Sequence, residues 1–87
     1  MAAKAFILVS CEPARTEAVG ERLRGIQGAL VYEIMGPFDF VLDIEADTAE
    51  NLTGILRSKV RPIAGVTDTL TCIVMASPGS EAAPPTG

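Results

Sequence analysis

ALVYEIMGPFDFVLDIEA, residues 29–46, holds two apolar, β-branched runs on either side of a compact turn. ALVYEIM (29–35) and FVLDIEA (40–46) have the length and residue types of strands, and Gly36-Pro37-Phe38-Asp39 has the composition of a tight connection. The stretch therefore predicts a β-hairpin. Moving outward, residues 13–26 carry Val19, Leu23 and Ile26 at spacings of four and three, one stripe of a helix. Pro13 suits its first turn and Gly28 its end. On the other side, Asp47 or Thr48 can cap a helix that runs to about Arg61, with Leu52, Ile55, Leu56 and Val60 as its stripe and Pro62 and Gly65 ending it. The outermost apolar runs, KAFILVSC (4–11) and VTDTLTCIVMA (66–76), complete the pattern as strands.

The order is β-α-β-β-α-β. Val19, Leu23, Ile26, Gly28 and Ala29 also match Leu56, Val60, Ile63, Gly65 and Val66 at one constant offset, so each half reads as a βαβ unit. Two such units predict a ferredoxin-like α+β fold: an antiparallel four-stranded sheet with both helices on one face. One domain over residues 1–76 is expected, followed by a disordered tail, residues 77–87 (SPGSEAAPPTG), rich in proline and glycine.

Composition narrows the function. The chain has 87 residues, 48% of them hydrophobic, and a formal net charge of -4. Eighty-seven residues suffice for one thin-cored domain. An acidic chain lacks the basic footprint of nucleic-acid binding. No apolar stretch approaches the roughly 20 residues of a membrane span, and nothing at the N-terminus has the layout of a signal peptide. Cys11 and Cys72, without histidine, make neither a disulfide framework nor a zinc pattern. Each lies in an apolar run, where cysteine is expected as a small buried hydrophobe. A reducing cytoplasm fits. No metal, cofactor or catalytic residue is expected: the chain has no Ser-His pair and no phosphate-binding loop. Asp43 and Glu45 share one face of a strand, where a sheet rim or a pairing with arginines is the expectation.

The strands are apolar on both faces. Phe6 and Leu8 oppose Ile7 and Val9; Leu70, Cys72 and Val74 oppose Thr71, Ile73 and Met75. Two helices cover one face only. At about 25 cal/mol per Å2, leaving the other bare costs many kcal/mol, so a second subunit is expected to cover it. Ile7, Val9, Ile73 and Met75 are assigned to that dimer interface.

The Gly36-Pro37-Phe38-Asp39 turn is the candidate binding element. Turn amides suit a carboxylate, and Asp39 could accept from an ammonium. At this point the chain resembles the effector-binding (RAM) domain of the Lrp/AsnC transcription regulators. The matching residues are the first strand Ala5-Phe6-Ile7-Leu8-Val9, the helix-ending Ile26-Gln27-Gly28, the Gly-x-aromatic-Asp turn at 36–39, Val41, and Ile63-Ala64-Gly65-Val66-Thr67-Asp68-Thr69-Leu70-Thr71. The resemblance covers about residues 4–76. It implies sheet-to-sheet homodimers assembling into tetramers or octamers. A small effector, mostly an amino acid, would bind between dimers at Gly36, Pro37, Phe38, Asp39, Thr69 and Thr71. It further implies a stand-alone form of the domain, without the regulators' helix-turn-helix, that modulates a full-length regulator. Pro37 lacks an N–H and Phe38 lacks the hydroxyl of the tyrosine often found there. Two other functions compete: an effector-independent oligomerisation module, and a small dimeric ferredoxin-like enzyme.

Overall fold

The computed structural model describes residues 3–75. Strand β1 (Ala3–Cys11) leads through a 3-10 turn at Pro13–Arg15 into helix α1 (Thr16–Arg24). Strands β2 (Ala29–Glu33) and β3 (Phe40–Ala46) form the hairpin. Helix α2 (Ala49–Ile55) continues into a π-turn at Leu56–Val60, and β4 (Val66–Ile73) follows. The sheet is wholly antiparallel in the order β2-β3-β1-β4. This is the ferredoxin-like α+β architecture expected.

Local chemistry explains the elements. Thr48, extended, accepts from the Asn51 amide at 3.0 Å and caps α2. Arg61 N–H reaches Leu56 O at 3.0 Å, an i to i+5 bond that widens the last turn beyond the α-helix expected there. The internal echo is physical as well: Gly28 and Gly65 both take positive φ, 86° and 102°, where the chain leaves a helix for a strand. The N-terminal helix begins later than expected because Pro13–Arg15 form the tighter 3-10 turn.

The core lies between the helices and one sheet face. Ala5, Ile7 and Val9 of β1 meet Leu42, Ile44 and Phe40 of β3 under Val19, Leu23, Leu52 and Val60. This phase corrects the interface assignment at Ile7 and Val9. Ile7 and Val9 are both 0% exposed within their own chain and cannot touch another. Ile73 pairs with Ala5 and so shares the helix-side phase, and Met75 lies past the end of β4, but both side chains are exposed. The uncovered face carries the other set: Phe6 and Leu8, Leu30 and Tyr32, Val41, Leu70 and Cys72. Cys72 is accordingly exposed rather than buried, while Cys11 is buried as expected. Asp43 sits on an inner strand, not at a rim, and pairs with Lys4 at 3.5 Å. The expected tail, residues 77–87, lies outside the described residues.

Candidate functional site

The hairpin turn is fastened to the sheet by Asp39. Its amide donates to Val9 O and its carboxylate Oδ2 accepts from the Cys11 amide, both at 2.9 Å. Its own carbonyl accepts from Ile34 N–H at 2.9 Å, which closes the loop. An antiparallel strand that has run past its partner leaves orphan amides, and Asp39 satisfies the one at Cys11. The aspartate is thus first a structural staple. Gly36 and Pro37 are exposed at the tip and Phe38 is half-buried. A Cβ added at Gly36 would meet nothing within 4 Å, so the turn has room beside it.

Thr69 and Thr71 come from the far side of β1. Thr69 pairs with Val9, the residue whose carbonyl anchors Asp39, and Thr71 pairs with Ile7. The turn and Thr69 therefore share one end of the sheet, on opposite flanks of β1. They stand roughly two strand spacings, about 10 Å, apart. One chain does not bring all six candidate residues into a single pocket. Thr71 carries a distinct signal: its Oγ1 is buried and has no hydrogen-bond partner. A buried hydroxyl without a partner is costly, and is a donor in waiting.

Cys11 adds to this corner. Its thiol donates to Thr16 Oγ1 at 3.7 Å. Burial pushes the thiol's pKa up, the Thr16 contact opposes this, and the Asp39 and Glu33 carboxylates push it further up. Buried beside the core, the cysteine serves as a packing residue. Its backbone role has no sequence signal, since any residue but proline supplies an N–H. A separate open hollow lies between the two helical segments, where Arg22, Ile26, Ile55 and Lys59 line it. Among the described residues, no group of three metal-ligating side chains converges, and no helix is long and apolar enough to cross a membrane.

The family model for the Lrp/AsnC ligand binding domain matches residues 4–84. The chain belongs to the Lrp/AsnC ligand-binding domain family. Solved structures of this kind share its fold. TTHA0845 of Thermus thermophilus is similar at 25% identity over 86% of this chain and 95% of that one, with a TM-score of 0.82. AsnC of E. coli gives 19% identity over 87% of this chain and 52% of its own, TM-score 0.80. The feast or famine regulatory protein of M. tuberculosis, solved with L-methionine, gives 23% identity over 86% and 51%, TM-score 0.73. The Lrp/AsnC domain of this chain thus spans about half the length of those two proteins. No curated protein sequence matches it significantly.

Proposed function

We propose that this Lrp/AsnC domain is an effector-responsive assembly module. It pairs with a second copy through the open sheet face, and the pairs combine into a tetramer or octamer. A small effector, an amino acid, binds at the seam between pairs, against Gly36, Pro37, Phe38, Asp39, Thr69 and Thr71. Through this assembly the domain modulates a full-length Lrp/AsnC-type regulator in the cytoplasm. The observation that carries the reading is the bare apolar face in a ligand-binding family: Leu30, Tyr32 and Leu70 are each at least half exposed. Such a face is favourable to cover. The spread of the six site residues over two flanks of β1 supports a site finished by another chain. Thr71 Oγ1 and Asp39 Oδ1 are the polar atoms it would use. L-methionine is the first probe, because the M. tuberculosis relative was solved with it.

A second reading has one observation in its favour. Asp39 already commits Oδ2 to the Cys11 amide, and Pro37 offers no N–H. A module that oligomerises without any effector fits those facts. Native mass spectrometry of the full chain, with and without a panel of amino acids at millimolar concentration, separates the two. The effector reading expects a change in assembly size or a rise in Tm for at least one amino acid, lost in Thr71→Val. An assembly indifferent to the whole panel would leave the structural module.

A further inference from the structure

The open face is apolar along its middle and acidic at its two ends. Tyr32, Val41, Leu8 and Leu70 stand in register as an uncharged row across all four strands. Next to it lie Leu30, Asp43, Phe6 and Cys72, then Glu45 beside Lys4. At the opposite end Asp68 stands beside Ser10. Lys4 Nζ lies 3.5 Å from Asp43 Oδ1 and 5.7 Å from the Phe6 ring centroid, so this cation is already engaged. Glu45 and Asp68 are exposed and have no cation within salt-bridge reach among the described residues. Arg61 borders the same shallow hollow as Asp68 without forming an ion pair with it. One lysine against three carboxylates leaves two uncompensated negative charges on this face. The other six cations, from Arg15 to Arg61, all sit on the helix layer and its connections. The cations other than Lys4 are therefore gathered on the helix layer, and the open face keeps its acidic excess.

We infer that Glu45 and Asp68 hold self-pairing through the open face weaker than its apolar surface alone would make it, and that pairing tightens as ionic strength rises. The inference rests on the self-pairing reading above. Two copies brought face to face concentrate four uncompensated carboxylates around one apolar seam. Whichever way the two-fold axis runs, each copy brings one lysine for three acids, so no register cancels the excess. Removing water from the seam strengthens the repulsion, and added salt screens it.

Sedimentation equilibrium of the full chain tests this in sodium chloride from about 0.02 M to about 0.5 M. The dimer Kd is expected to tighten by roughly tenfold over that range. The double variant Glu45→Gln with Asp68→Asn, at exposed positions that leave the core untouched, should pair tightly at low salt and lose most of the dependence. General salting-out of apolar surface acts on both proteins alike, so a variant keeping the parent's salt slope overturns the inference. So does a parent Kd that is flat or weakens with salt, while the self-pairing reading survives. A chain that stays monomeric in both forms at all salts sinks the pairing itself, and this inference with it.

Discussion

On the helix side of the sheet Ile7, Leu42 and Ile44 are sealed from water, while on the other side Leu8, Leu30 and Leu70, no less apolar, lie half-covered or bare. The apolar side chains of the two faces differ little in type and greatly in what covers them. The sealed face holds one chain together. The bare face has the same driving force and, among the described residues, nothing in its own chain to pack against. In a ligand-binding family that difference separates residues that make the fold from residues available to make an assembly.

The sharpest way to break the comparison is a pair of size-matched truncations. Leu42→Ala opens a cavity under both helices and should cost about 2–5 kcal/mol, a large share of the stability of so small a domain. Leu70→Ala, at a position 50% exposed, should change the unfolding free energy of the dilute single chain by about 0.5 kcal/mol or less. It should instead weaken the dimer. Urea unfolding at a concentration where both proteins are monomeric, followed by sedimentation at higher concentration, reads the two effects separately. Equal losses in the dilute chain would mean that the faces do not differ.

Asp39 ties the hairpin turn to the end of β1, at the boundary of both faces. Asp39→Ala strands the Cys11 amide and should cost about 1–3 kcal/mol. Asp39→Asn keeps an acceptor and should recover much of that. If Asp39→Ala unfolds at the parent's urea midpoint, the staple carries nothing and the aspartate is free to be a ligand group only.

Both tests touch the border between what is legible in the sequence and what is not. Element order, a helix cap at Asp47 or Thr48 and the paired helix-ending glycines can all be read, because each rests on local chemistry at a few neighbouring positions. The phase of the strands cannot be read the same way: sequence reading places Ile7 and Val9 at a subunit seam, and they lie in the core. An apolar run such as Phe6-Ile7-Leu8-Val9 satisfies either phase, and which phase meets the helices is set by the register with β3 and by the packing above. A signal is present in the polar members. Lys4 and Ser10 share the phase of Phe6 and Leu8, and Asp43 and Glu45 share that of Val41, whereas the opposite phase from Ala5 to Cys11 and from Phe40 to Ala46 has no charge at all. For the candidate site, the turn is legible as a turn, but the flanking of β1 by Asp39 and Thr69 depends on strand order, which no local pattern states. The π-turn at Leu56–Val60 is equally out of reach, since the α-helical stripe reads almost the same.

Thr71 offers a finer test on the sealed side. Its hydroxyl is buried and unpartnered, so Thr71→Val, nearly equal in volume, should stabilise the chain by about 1 kcal/mol. Differential scanning calorimetry without ligand reads this as a rise in Tm. The same change should abolish any effector-induced shift. A fall in stability would show that the hydroxyl has a partner, water included, and would remove it from the site.

The smallest expected effect uses the two cysteines, one on each face. Cys72 is exposed on the open side, and Cys11 is buried with a thiol pKa pushed above its ordinary 9.0, chiefly by burial. In the native chain at slightly alkaline pH, a thiol reagent should label Cys72 alone, and Cys11 should react only at the rate of opening or unfolding. Labelling of Cys72 should slow as protein concentration rises, because pairing covers it. Equal rates at both positions would erase the distinction between the faces. The raised Cys11 pKa also fixes a sign. Above about 9 the unfolded thiol loses its proton before the folded one, so the folded state holds more protons and stability falls as pH rises through that range; below it the cysteine contributes no pH dependence. Cys11→Ala should flatten that alkaline limb, with a small cavity as its separate and pH-independent effect.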